Sequence, residues 1–361
     1  MDQAATKPTQ TFHIATAGRA PRAAAAVVVV ILLALVLLPA VAGRNLIQDL
    51  IFLFYMLALA QCWNLLAGYA GLISVGQQAF VGLGGYLLFA LTLIGGINPL
   101  LAIPLAGIVS AWFALPTALI VFRLRGAYFA IGTWVVAEVY RLVFAQVKPL
   151  GGGTGTSLTP AVTSSVPGIE WVKTLLDLRT PAARDVISYW TALALMAGTL
   201  AFVYVILRSR RGLALGAIRD HEGAASGLGV DIYRIKLAIY VATAAVTGMI
   251  GALIYLQKAR ISPDAAFSVL DWTAYVIFIT VIGGIGTMEG PAIGAVIFYL
   301  VQRYLADFGA SYLILLGTLG ILVMLFAPRG LWGLLAERYD LTLFPTRRRL
   351  IIEDGKRGVS S

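Results

Sequence analysis

Few residues in this chain are equipped for chemistry, and their spacing suits binding and mechanical contact better than bond-making. Inside long apolar runs, Glu138 and Arg141 stand three apart and Arg303 and Asp307 four apart. At those spacings side chains share a helix face and can pair. An ionisable group at membrane depth marks a functional site by default, and self-pairing near an interface is the plain alternative. Asp49 and Asp271 stand at helix ends, and no series of acids crosses the apolar runs as more often occurs in a proton- or sodium-driven carrier. That favours an external energy source. No GxxxxGK[ST] phosphate loop is present, and the Gly151–Thr156 run GGGTGT lacks its lysine. There is no HExxH and no Cys/His cluster; His13 and His221 fall in polar segments. The single Cys62 lies in an apolar run, where a free cysteine is usually packing.

The elements that must position these residues follow from composition. The 361 residues are 60% hydrophobic and only 12% charged, against roughly 45–50% and 25% in soluble domains. This is an all-α polytopic membrane protein, since long apolar runs without alternation must satisfy their own backbone as helices. Spanning runs occur near 23–42, 46–67, 70–95, 99–122, 126–145, 186–207, 235–257, 270–287, 291–307 and 310–327, about ten, with the third broken. The first run is longer than a signal-peptide core of about 7–15 residues. It reads as a retained helix behind a disordered tail over 1–22, although VLLPAVAG resembles a cleavage site.

Charge orients the helices. With both termini cytoplasmic, the inner segments hold eighteen Lys and Arg and the outer segments seven, as the positive-inside rule requires. The formal charge of +10 therefore needs no nucleic-acid partner. The membrane region spans 23–330, with an outer loop over 146–185, an inner loop over 208–234 and a basic tail over 331–361. The outer loop holds the glycine run and IEWVKTLLDL, which fits a short surface helix. Loops longer than about 12–15 residues are usually binding loops or disordered.

Three segments are distinctive. Trp63 to Phe80, WNLLAGYAGLISVGQQAF, mixes glycines with Asn64, Ser74, Gln77 and Gln78 at membrane depth. Unwound backbone there is tolerated only inside protein or beside a water-filled cavity, and broken helices often form transporter substrate sites. Close helix packing through small residues is the alternative. Val281 to Ala295, VIGGIGTMEGPAIGA, reads as a structural hairpin: Glu289 and Pro291 suit a helix start, and Gly290 with Gly294 suits tight packing. Arg208 to Val230, RSRRGLALGAIRDHEGAASGLGV, fits a helix of about 10–12 residues between Gly212 and Gly229. Its apolar side is Leu213, Leu215, Ile218, Ala225 and Leu228; its polar side is Arg219, Asp220 and Glu222. An interfacial helix on lipid is one reading. The Ala/Gly-rich surface without aromatic anchors suits docking into a protein groove.

Together these segments resemble the inner-membrane permeases of branched-chain amino acid ABC importers, the longer, LivM-type subunit. That family shows NLLAGYAGLxSxG, GxALxAIRDxExAAxxLGV and GGxGTxxGPxxGA, and the resemblance covers about residues 45–330. It implies a type II importer-like fold in a bacterial inner membrane and a heterodimer with a second permease. It also implies two cytoplasmic ATPase subunits and a periplasmic substrate-binding protein. ATP and magnesium would reside on the partner subunits, with no cofactor here. Leu215, Ile218, Arg219, Asp220, Glu222 and Leu228 would couple to the ATPase. Asn64, Tyr69, Ser74, Gln77, Gln78 and Phe80 would line or shape the substrate path, and Gly151, Gly152, Gly153, Thr154 and Ser157 would meet the binding protein. Gly216, Gly223 and Gly227 depart towards smaller residues, which implies a softer coupling helix. Related permeases carry urea, short amides or aromatic acids, and a self-contained carrier or channel is the rival from another class.

Overall fold

The computed structural model describes residues 11–15, 19–305, 308–327, 329–339 and 349–353. In chain order the elements are β1 (Thr11–Ala15), α1 (Arg19–Leu37), α2 (Arg44–Asn64), α3 (Gln77–Phe89), α4 (Pro99–Val121), α5 (Ala127–Ala145), β2 (Thr156–Ser157), α6 (Pro160–Ser164), α7 (Ile169–Leu176) and α8 (Thr180–Arg208). Then come α9 (Arg210–Asp220), α10 (Glu222–Gly227), α11 (Ile232–Lys258), β3 (Arg260–Ile261), α12 (Pro263–Ala266), α13 (Tyr275–Gly283), α14 (Gly290–Leu305), α15 (Ala310–Phe326), α16 (Gly330–Tyr339) and β4 (Arg349–Glu353). The all-helical membrane architecture is as expected. Among the described residues, eight helical stretches are long and apolar enough to span a bilayer. The expected first span is a shorter apolar stretch, Val27–Ala40, and α14 has 16 residues.

Several boundaries differ from the sequence expectation, each for a local reason. The third helix starts at Gln77 rather than 70, because α2 runs on through a π-helical turn at Leu65–Tyr69 and the chain then breaks at Gly71, φ +69°. The eighth helix begins at Thr180 instead of 186, with Pro181 in its first turn, a position where the missing N–H costs nothing. The span expected over 270–287 is instead Pro263–Gly283, built from α12, a π-helical turn at Leu270–Ala274 and α13, which stops at Gly283 before Gly284 at φ +132°. The tails are not wholly without structure: β1 pairs antiparallel with β4, Thr11 opposite Glu353.

The most enclosed span is α2. It packs on α8, α13, α14 and α11, and α11 in turn lies against α3 and α4. Lipid gives helices no hydrophobic drive to associate, so close approach through small residues takes its place. At the α3–α4–α11 contact a Cβ on Gly84 would come 2.0 Å from the Gly248 carbonyl oxygen, and one on Gly251 would come 2.2 Å from that of Val81. Ion pairs close one end of the bundle. Arg44 and Gln48 hold the buried Asp185 carboxylate at 2.6 and 3.0 Å. Arg303 pairs with Asp49, which also accepts from the Tyr299 hydroxyl at 2.8 Å. The expected partner of Arg303, Asp307, lies outside the described residues.

Candidate functional site

The three distinctive segments meet at one junction. Asn64, at the end of α2, is fully buried, and its Oδ1 accepts from the Gly286 amide at 2.8 Å while its Nδ2 donates to the Thr287 carbonyl at 2.7 Å. One turn earlier, Gln61 Nε2 donates to the Met288 carbonyl at 2.6 Å. The hairpin between α13 and α14 thus has its backbone groups met by side chains of α2, as backbone removed from water requires. Gly286 takes φ +74°, and the Arg219 guanidinium of α9 lies over it: a Cβ there would come 2.6 Å from Nη1. Gly68 completes the junction, since its Cβ would meet Asn64 Oδ1 at 2.5 Å and the Gly286 amide at 2.6 Å. The hairpin closes on itself as tightly, for a Cβ on Gly294 would stand 1.9 Å from the Ile279 carbonyl oxygen.

The segment expected as one helix between Gly212 and Gly229 is two, α9 and α10, broken at His221. Each start is capped. Ser209 Oγ accepts from Arg211 N at 3.2 Å, and His221 Nδ1 accepts from Ala224 N at 3.1 Å. Asp231 Oδ1 then opens α11 by accepting from Arg234 N at 3.0 Å. Such caps meet amide groups that no helical carbonyl reaches. Leu215, Ile218 and Ala225 are buried, whereas Leu213 and Leu228 are exposed, Leu228 to 82%. The apolar residues therefore do not form one inward face. Asp220 and Glu222 are exposed, and Glu222 pairs with Lys236 of α11. Gly216 and Gly227 face open space, so the outer surface is smooth.

The break at 70–76 has its own supports. Trp63 Nε1 donates to the Ser74 carbonyl at 2.8 Å, the Val75 amide donates to Thr133 Oγ1 at 3.0 Å, and Ser74 Oγ accepts from the Gly76 amide at 3.2 Å. Gln77 Nε2 donates to the Leu59 carbonyl at 3.0 Å, and Gln78 Oε1 accepts from Thr273 Oγ1. Both glutamines are buried inside this one chain, and Gln77 Oε1 and Gln78 Nε2 have no hydrogen-bond partner among the described residues. Phe80 is buried edge-on to Tyr240, and Tyr69 is half-buried. Beyond the break, Gly71 and Ile73 border a cavity of about 460 Å³ shared with Arg125, Tyr233, Lys236 and Glu222.

The glycine run lies at the opposite end of the bundle. Gly151, Gly152 and Gly155 take positive φ, and a Cβ on Gly155 would meet the Ile261 carbonyl oxygen at 2.0 Å. Thr156 and Ser157 pair with Ile261 and Arg260, which fixes the loop to the segment after α11. Gly153, Thr154 and Ser157 are exposed. The surface helix expected from IEWVKTLLDL is α7. Glu138 and Arg141 pair as their spacing suggests, at 2.6 Å, and Arg141 Nη1 also reaches Asp264 of α12 at 2.6 Å.

Comparison with known proteins gives the family. The family described as the permease component of the branched-chain amino acid transport system matches residues 45–327, a stretch that takes in all three segments of the junction. The chain belongs to this permease family. It is 29% identical over 333 residues, 82% of this chain and 77% of the other, to the high-affinity branched-chain amino acid transport system permease protein LivM of Salmonella typhimurium. The Escherichia coli protein of the same name is 28% identical over the same shares. A probable branched-chain amino acid transport permease protein LivM of Methanocaldococcus jannaschii is 25% identical over 71% of this chain and 72% of the other. No solved structure matches.

As a permease of this family the chain is a multi-pass membrane protein and a transport component. Sequence reasoning gives no role to Gln61, which joins the junction, or to Lys236, which pairs with Glu222, and does not connect Gly286 and Thr287 to Asn64. Gly286 was legible as part of a glycine-rich motif, but nothing local links it to Arg219. Asp264 lies 123 residues beyond Arg141, and no spacing rule connects them.

Proposed function

We propose that this chain forms half of the translocation path of an ATP-driven importer for branched-chain amino acids or similar small polar solutes, in a bacterial inner membrane. It pairs with a second permease, and substrate passes at their interface. Two cytoplasmic ATPase subunits bind ATP and magnesium and dock on α9 and α10; a periplasmic binding protein delivers substrate at the Gly151–Ser157 loop. The observation that carries the reading is the contact of Arg219 with Gly286. It gives an exposed docking segment a direct mechanical connection to the hairpin between α13 and α14, and through Asn64 to α2. Motion imposed on α9 would reach the bundle without crossing a flexible linker. The break at 70–76, with its unmet glutamine atoms, shapes the path from within.

The test is reconstitution of the chain with the second permease, the ATPase subunits and the binding protein in lipid vesicles. Uptake of leucine is expected only with ATP and with all components. Uptake by this chain alone without ATP would identify a self-contained carrier instead. In the full assembly, Arg219→Glu is expected to reduce substrate-stimulated ATP hydrolysis and uptake together. Unchanged rates for both would remove the coupling role.

A further inference from the structure

The charged cluster on α5 does not fit a lipid-facing helix. Among the eight spans α5 is the least enclosed. Its exposed stripe runs through Tyr128, Ile131, Trp134, Val135 and Leu142, and at 100° per residue Glu138 falls within it. The Glu138 side chain is 46% exposed. It stands seven residues from the helix end at Ala145, ~10 Å at 1.5 Å per residue. A carboxylate at that depth is costly against acyl chains and belongs beside protein or water. The stripe therefore faces a partner or an aqueous passage.

Arg141 bridges Glu138 and the Asp264 carboxylate, two acids sharing one guanidinium. Beneath them, Phe144 and Phe267, each three residues after its charged neighbour, stack on one another and on Tyr86. Tyr86 is fully buried, and its hydroxyl has no hydrogen-bond partner among the described residues. The Gly152–Thr154 turn packs against both α5 and α12. The cluster thus lies next to the loop where substrate would arrive.

We infer that Glu138, Arg141 and Asp264 form a binding site for the zwitterionic head of an amino acid on the exposed face of α5, with Arg141 taking the carboxylate and the two acids the ammonium. The inference rests on the reading of the chain as an amino acid importer. At rest one guanidinium stands against two carboxylates, so the cluster carries one net negative charge. An arriving zwitterion, itself neutral, leaves that balance unchanged and gives both Arg141 and the acids an opposite charge, so the cost of breaking an ion pair is offset as it is incurred. Uncharged solutes offer no such exchange.

The test uses the complete reconstituted assembly, with radiolabelled leucine as probe. Arg141→Gln and Glu138→Gln are each expected to lower the number of leucine molecules moved per ATP by about tenfold, the scale of one charge-assisted hydrogen bond. Half-saturation by the loaded binding protein should not move. Because a single change leaves a charge unpaired, the decisive variant removes all three charges, Glu138→Gln with Arg141→Met and Asp264→Asn. If the cluster is only an internal ion pair, neutralising every member restores near-native uptake per ATP, and that result overturns the inference. Continued loss of uptake per ATP in the triple variant, with assembly and stimulated hydrolysis intact, supports it. Absence of ATP-driven leucine uptake by the unmodified assembly would instead count against the importer reading itself.

Discussion

The guanidinium of Arg219 lies over Gly286, so close that a Cβ on Gly286 would stand 2.6 Å from Nη1. The two residues are 67 positions apart and belong to different distinctive segments of the chain. Asn64, from the third segment, holds the same glycine through its amide. The surface helix α9, a hairpin and a core helix are thereby joined at one residue that has no side chain to yield.

Gly286→Ala should break this joint at its centre. Alanine at φ +74° costs about 1–2 kcal/mol in backbone strain, and its methyl displaces the Arg219 guanidinium. Because the α3–α4–α11 contact is remote from the change, the bundle should still fold, with ATP hydrolysis stimulated less by loaded binding protein. Hydrolysis and uptake measured on one vesicle preparation check this; native stimulation would show that Arg219 does not act through Gly286.

Asn64→Ala removes two hydrogen bonds and leaves a partly buried N–H and a partly buried C=O unmet, each at up to about 1–3 kcal/mol. Lowered thermal stability of the detergent-purified protein is expected. Asn64→Asp tests the sidedness of the clamp: a carboxylate still accepts from the Gly286 amide but repels the Thr287 carbonyl, so it should be no better than alanine. A melting temperature equal to that of the unsubstituted chain in either variant would contradict the clamp.

Glycines on the two sides of the molecule should respond oppositely. Gly216 lies inside α9 and faces open space, so Gly216→Ala should stiffen the helix by up to about 1 kcal/mol without a clash. Gly84→Val drives a branched side chain into the Gly248 carbonyl and should sharply reduce the yield of monodisperse protein on size exclusion. If Gly216→Ala raises coupling, the softness of α9 limits transmission; if it lowers coupling, bending at this position is part of the stroke.

Leu228 stands 82% exposed at the end of α10, with little to bury it among the described residues. Leu228→Glu should leave stability within about 0.5 kcal/mol, as surface changes do, while weakening association with the ATPase subunits by about tenfold or more, the scale of burying one leucine. A pull-down titration reads this directly, and unchanged association would move the docking surface away from α10.

Much of this protein is determined by its sequence. Sixty per cent hydrophobic residues in spanning runs leave only helices as a way to satisfy the backbone in lipid. The pairing of Glu138 with Arg141 follows from a spacing of three on one helix, and the break before Gln77 from glycines that permit what other residues resist. These are local consequences, set within a turn or two. The division of the 208–230 segment at His221 is local too, but Ala and Gly spacing suggests continuity, and the cap supplied by His221 Nδ1 is weaker as a pattern than Ser, Thr, Asp or Asn. Only the tertiary structure decided the rest. Arg219 meets Gly286, Asn64 reaches Thr287 and Arg141 reaches Asp264 because helices brought together by small-residue contacts place their ends side by side. Spacing along a chain carries information about neighbours on one helix, whereas the partner across a helix contact depends on how two whole elements pack.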